Sequence, residues 1–236
     1  MDSVLKSEAV LAAAEASTPV HSYSVRICHW INLVACVYLL WSGVHILLDF
    51  PELYWGNTGY RGYPAAFRLE DWGLSWDEAG ALGDRRWGRN YHFTFAWVFL
   101  INGIVYVGLN LYSTHFRNRM LPARHEWTLA NIRTELRAHL RWPRRQKPGS
   151  YGTLQKTTYL VLIFVFVPLM ILTGLAQSPG YTAAMPVLLD MFGGRQTART
   201  LHTIGTVALV LFVAVHVLEV VAAGFVKQVR SMITGK

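Results

Sequence analysis

Cysteine is nearly absent: the 236 residues hold two, Cys28 and Cys36, eight apart in one apolar stretch. So sparse a set gives no disulfide framework and no thiolate metal centre, and the pair reads as packing residues. No Cys-x-x-Cys-His run occurs, which excludes covalent haem attachment of the c type. Charge is also scarce, at 15% of residues against 53% hydrophobic ones. A soluble domain of this length needs more polar surface, so the balance points to a membrane. The stretch from Met1 to Val20 lacks the long uncharged core and small-residue cleavage site of a secretion signal, and carries Lys6, Glu8 and Glu15 instead. It reads as part of a retained cytoplasmic tail, residues 1–22. The net charge of +8 does not indicate a nucleic-acid partner, because the basic residues lie between apolar runs and not on one soluble face.

Long apolar runs are what the chain does have. Four approach or exceed the roughly 20 residues that cross a hydrocarbon core about 30 Å thick: approximately Ile27 to Phe50, Tyr91 to Tyr112, Thr158 to Ala176 and Leu201 to Phe225. Nine Trp and eleven Tyr suit such a chain, since amphipathic rings gather where hydrocarbon meets water. Pro168 within the third run predicts a kink, tolerated where neighbouring helices cover the freed carbonyl. The expected fold is an all-α membrane protein, a four-transmembrane-helix up-down-up-down bundle.

The distribution of Lys and Arg predicts its orientation. The connection from Ser113 to Gly152 carries Arg117, Arg119, Arg124, Arg133, Arg137, Arg141, Arg144, Arg145 and Lys147, and a stretch so basic belongs on the cytoplasmic side. With four spans, both termini are then cytoplasmic too. The domain plan is a four-helix domain at 23–226, with an outer loop at 51–90, the basic cytoplasmic loop at 113–152, a second outer loop at 177–200 and a cytoplasmic tail at 227–236. The first outer loop mixes five arginines with acids such as Glu70, Asp71, Asp77 and Glu78, and holds Tyr54, Trp55, Tyr60, Tyr63, Trp72, Trp76 and Trp87. At about forty residues it is either folded over the membrane surface or built for a partner. An interfacial aromatic belt is compatible with both.

Histidine within a span is expensive and invites a functional explanation. His202 and His216 lie fourteen residues apart in the fourth span, which on a helix is about 3.9 turns and about 21 Å of rise. They leave nearly the same face at two depths, as required if one helix gives an axial ligand to each of two stacked haems. Two core histidines satisfied by hydrogen bonds are the plainer alternative. Neutral imidazole ligates iron, and a haem held by two histidines is closed to oxygen and suited to electron transfer. Alternating helix directions bring the start of the first span to the end of the fourth, pairing His29 with His216 near the cytoplasm. The same alternation pairs His92 with His202 at the outer face.

Arg26, Arg89 and Arg199 each precede a histidine by three residues, share its helix face and lie on its water side. Each is a candidate partner for haem propionates, or else a simple flag of a span end. His45, sixteen residues after His29, is a rival ligand for the outer haem. His115, at the inner end of the second span, is a candidate for the quinone pocket or a rival to His29. His125 and His139 fall in the basic loop and read as solvated, and His21 has no assigned role.

Arg26-Ile-Cys-His29-Trp30 opening the first span, Ser42-Gly43 late in it, His92 opening the second and the His202–His216 pair together resemble the membrane cytochrome b subunits of bacterial nickel-iron hydrogenases, formate dehydrogenases and thiosulfate reductases. The resemblance covers roughly Tyr23 to Lys236. It implies two non-covalent b-type haems held by the matching histidines, with a quinone (ubiquinone or menaquinone) bound near the cytoplasmic one. Pro51-Glu-Leu-Tyr-Trp-Gly56 and Gly193-Gly-Arg-Gln-Thr-Ala-Arg-Thr-Leu-His202 are similar to cytochromes encoded with periplasmic molybdopterin oxidoreductases of the sulfite oxidase type. The long outer loop departs from the shorter ones of the formate dehydrogenase branch.

The expected protein is therefore a multi-pass cytochrome of the bacterial inner membrane, passing electrons between a periplasmic redox subunit and quinone, with the bilayer, quinone and that subunit as partners. Arg26, His115 and Glu219 are the quinone-site candidates. Glu219, three residues after His216, is also placed to orient that ligand. Two other readings stand beside this one: a stand-alone superoxide or small-reductant:quinone oxidoreductase, and a haem-free membrane anchor or transporter.

Overall fold

The computed structural model describes residues 21–111, 121–123, 126–139 and 152–235. The first apolar run forms helix α1 (Tyr23–Asp49). A surface cap follows: strand β1 (Glu52–Leu53) pairs antiparallel with β2 (Phe67–Arg68), then come a short 3-10 turn (Glu70–Trp72) and helix α2 (Trp76–Leu82). The second span is α3 (Arg85–Leu111), and α4 (Leu129–His139) lies in the basic connection. The third span, α5 (Thr153–Gln177), leads through short helices α6 (Pro179–Ala184) and α7 (Val187–Met191) to the fourth, α8 (Arg195–Ala222), and then α9 (Phe225–Thr234). α1, α3, α5 and α8 are all long and apolar enough to cross a membrane.

The spans begin earlier than their apolar runs because caps decide where a helix starts. Asp84 accepts the Trp87 N–H at 3.1 Å and so opens α3 six residues before Tyr91. The carboxylate of Glu135, on α4, accepts the N–H groups of Thr153 and Leu154, both at 2.8 Å, and opens α5. The Gly56 carbonyl accepts the N–H groups of Gln196 and Thr197 at 2.9 and 3.2 Å, and so covers the first turn of α8 from a distant part of the chain. Within α5, residues Leu162–Phe166 form a π turn that ends two residues before Pro168. Proline lacks the N–H for the regular ladder and its ring crowds the carbonyl four residues back, so a wider turn there absorbs the misfit.

Contacts along the spans give their directions. Ser42 of α1 meets His92 of α3 at one end, while the Asn102 amide donates to the Cys28 carbonyl (2.9 Å) and to Asn32 (2.7 Å) near the other. α1 and α3 are thus an antiparallel hairpin. α5 and α8 form a second, with Thr173 against His202 and Met170 packed on Gly205. Each hairpin is closely packed within itself, yet among the described residues no span of one packs closely along a span of the other. A lengthwise slot separates them.

At the aromatic-loop end the slot is roofed by a clasp between the loops at 51–90 and 177–200. Thr200 donates to the Tyr54 carbonyl (2.7 Å), the Gly56 N–H donates to Thr197 (2.7 Å), and Arg199 donates to the carbonyls of Phe50 and Glu52. Gly194 has φ of 119°, and a Cβ there would sit 2.5 Å from Gly56, so glycine is required at the closest approach. The long first loop is therefore folded over the bundle end, and its last six residues, from Arg85, already belong to α3. Tyr54 is fully buried in the clasp with its hydroxyl against the Glu52 carboxylate. Burial first, and then that carboxylate, hold its phenol above the ordinary tyrosine range, so it stays protonated throughout the neutral range. At the opposite end α9 folds back on α1, where Arg26 donates to the Ile233 carbonyl and the Trp30 indole to that of Met232 (3.1 Å).

Candidate functional site

Four span histidines face one another across the slot in two pairs. The rings of His92 on α3 and His202 on α8 have centroids 6.1 Å apart, with planes at 67°. Those of His29 on α1 and His216 on α8 are 6.4 Å apart, with planes at 61°. Because α8 supplies one ring to each pair, the pairs lie about 21 Å apart along its axis.

Each ring at the aromatic-loop end is addressed by a hydroxyl from the other helix of its own hairpin. Ser42 Oγ is 3.0 Å from Nδ1 of His92, and Thr173 Oγ1 is 3.0 Å from Nδ1 of His202. A hydroxyl has one proton, and here it has a backbone acceptor four residues back: the Tyr38 carbonyl at 2.6 Å and the Leu169 carbonyl at 2.8 Å. What faces each Nδ1 is then a lone pair, so Nδ1 carries the hydrogen and Nε2 keeps its lone pair free. That is the tautomer of a metal ligand.

Among the described residues no group of three or more His, Cys, Asp or Glu could hold a metal ion. Two imidazoles do not complete the four-ligand shell of a bare ion such as zinc. They do complete an iron whose other four ligands come from a porphyrin. A metal–imidazole bond of about 2 Å on each side, plus about 1 Å from each nitrogen to its ring centre, puts the centroids about 6 Å apart, which both pairs match. A flat macrocycle also suits a slot between two hairpins whose described spans are not closely packed on each other. The residues present fit two bis-histidine haems.

The remaining candidates divide. The Arg199 guanidinium gives its terminal nitrogens to the Phe50 and Glu52 carbonyls, at 2.5 and 2.7 Å, and lies over the Phe50 ring. It straps the clasp to α8. Arg89 is exposed, above the Phe93 ring. Arg26 gives one nitrogen to Ile233, while its Nε is buried without a hydrogen-bond partner one turn before His29. Glu219 sits one turn beyond His216 on α8. His45 is not in either pair: it stacks edge-on with Trp41 and lines a pocket of about 300 Å³ with Trp41, Asp84, Trp87 and Tyr91. His115 and His125 lie outside the described residues, as do residues 1–20 and much of the basic loop. Ser42-Gly43 stands out in the sequence only as a motif, and Thr173-Gly174 not at all. The visible signal was a hydroxyl-glycine dipeptide recurring in the first span of each hairpin.

The family model described as prokaryotic cytochrome b561 matches residues 20–235. A curated relative from Azospira oryzae, a candidate protein-methionine-sulfoxide reductase subunit called YedZ1, is 28% identical over 199 residues, which are 84% of this chain and 88% of the relative. No solved structure matches significantly. With four membrane-spanning helices and histidines that suit b-type haem, the chain belongs to the prokaryotic cytochrome b561 family, the haem-binding multi-pass proteins of the bacterial inner membrane.

Proposed function

We propose that the chain is a quinone-reactive di-haem cytochrome b that carries electrons across the membrane between the quinone pool and a periplasmic redox subunit. The observation that carries this reading is the pair of facing imidazole couples, 6.4 and 6.1 Å between centroids, at two depths of one slot. His29 and His216 hold the inner haem, and His92 and His202 the outer one. Bound there, b-type haems supply one-electron chemistry at an iron closed to oxygen.

The basic loop sets the orientation, with both termini cytoplasmic and the aromatic loops 51–90 and 177–200 outside. Quinone binds near the inner pair, where Arg26 offers a buried, unpartnered Nε and Glu219 lies one turn from His216. His115, the third quinone-site candidate from the sequence, lies outside the described residues. Arg26 and Arg89 remain the propionate partners, each at the water side of its histidine. The periplasmic subunit docks on the outer cap, whose Trp55 and Trp72 rings are 54% and 79% exposed. The Azospira relative is, by its name, a subunit of a reductase, and this favours electrons leaving quinol for an outer partner, a molybdopterin enzyme of the sulfite oxidase type.

Haem content per chain in single variants tests the assignment. His29→Ala and His216→Ala are expected to lose one haem, His92→Ala and His202→Ala the other, and His45→Ala neither. Loss of a haem in His45→Ala, with both kept in His92→Ala, would show the outer pairing to be wrong.

A further inference from the structure

We propose that Ser42 and Thr173 are positioning residues that lock both outer histidines in the iron-binding tautomer and set the outer haem's potential apart from the inner one's. This inference rests on the di-haem reading above.

The device occurs twice, once in each hairpin. In α1 a fully buried hydroxyl, Ser42, is followed by Gly43, and in α5 a fully buried hydroxyl, Thr173, is followed by Gly174. Each hydroxyl lies 3.0 Å from an Nδ1. Each donates to the carbonyl four residues back, and each has the carbonyl three residues back within reach, Leu39 at 3.2 Å and Met170 at 3.1 Å. Each glycine receives the edge of the same ring: a Cβ would lie 3.5 Å from Cε1 of His92 at Gly43, and 3.3 Å from Cε1 of His202 at Gly174. Serine and threonine are different residues on helices of unrelated sequence, so the agreement of these distances reflects a shared requirement. The hydroxyl supplies an acceptor beside the Leu39 or Met170 carbonyl, which also faces the same ring, the glycine supplies the room, and together they fix ring rotation and tautomer.

Both devices serve one centre. Among the described residues no hydroxyl makes this contact with His29 or His216; the His29 ring instead packs edge-on with Trp30, and the His216 ring stacks with Phe212. An imidazole that donates its distal N–H is a stronger base toward its metal. A more basic ligand set favours the ferric over the ferrous iron and so lowers the potential. Two such donations at the outer iron, and among the described residues none of this kind at the inner one, separate the two centres chemically.

The test is a spectroelectrochemical titration of the purified full-length holoprotein, with the wild type compared with Ser42→Ala, Thr173→Val, Ser42→Thr and Thr173→Ser. Ser42→Ala and Thr173→Val are each expected to shift the reduction equilibrium of one haem about tenfold toward ferrous, about 59 mV for a one-electron couple, and to leave the other haem in place. Their low-spin electron paramagnetic resonance signal should broaden for that haem alone, because the ring is freed to rotate. Ser42→Thr and Thr173→Ser keep the hydroxyl and should titrate like the wild type. An unchanged potential in both hydroxyl-free variants, with two haems bound, overturns the inference: the Leu39 and Met170 carbonyls then hold the Nδ1 hydrogens unaided. A shift in the hydroxyl-retaining variants as large as in the hydroxyl-free ones overturns it as well, since packing alone would explain both. A wild type with fewer than two haems is a separate result, which removes the di-haem reading itself.

Discussion

Replacing His202 and His216 together by alanine is expected to take the protein from two haems per chain to none. α8 is the one helix that contributes to both imidazole pairs, and each of its histidines faces a single partner across the slot, 6.1 and 6.4 Å away between centroids. Without them His92 and His29 face empty space from opposite ends of the other hairpin. A haem left with one axial histidine loses an iron–nitrogen bond and the apposition that holds it between the hairpins. His45 offers no replacement, because its ring is turned into the Trp41, Asp84, Trp87 and Tyr91 pocket. The double variant still has four apolar spans, so it should insert and elute as a monodisperse species in detergent while showing no absorption band from haem. Retention of one haem in the double variant would place at least one ligand outside α8.

The second large effect is on stability and not on haem ligation. Arg199→Ala is expected to destabilise the protein by about 3 kcal/mol or more, because two carbonyls lose their donors at about 1–3 kcal/mol each and a cation–π contact with Phe50 is lost as well. The clasp between the 51–90 loop and the start of α8 would open, and His202 lies one turn beyond Arg199. Thermal unfolding in detergent should show a lowered midpoint, with the outer haem released first. Arg199→Lys should recover only part of the loss, since an ammonium cannot span two carbonyls as the planar fork does. If Arg199 instead served mainly as a propionate partner, the alanine variant would shift the outer haem's potential with little change in the unfolding midpoint.

Much of the bundle was legible from residue type and spacing. Runs of about 20 apolar residues identify spans without further context, and the interval from His202 to His216 places two imidazoles on one face whatever surrounds them. Helix starts were less legible, because they depend on groups far away in the chain. Gly56 caps α8 and Glu135 caps α5, and neither relation is written in the local pattern. The two motifs Pro51–Gly56 and Gly193–His202 stand far apart in the sequence, and their mutual contact appears only once the loops are folded. The π turn at Leu162–Phe166 answers to Pro168, but a sequence announces the misfit and not how it is absorbed. Ser42 and Thr173 were hidden for a different reason. A buried hydroxyl in a span usually bonds its own backbone, and theirs do; only the facing ring shows that the remaining lone pairs are used.

The central claim is that this chain holds two haems through two histidine couples, and the haem-to-protein ratio of the purified full-length wild type tests it most directly. Measured by reduced-minus-oxidised spectroscopy with quantitative haem extraction, the ratio should be two, resolving into two potentials on titration. A ratio of one, with the remaining haem unaffected when either His29 or His92 is changed to alanine, would contradict it.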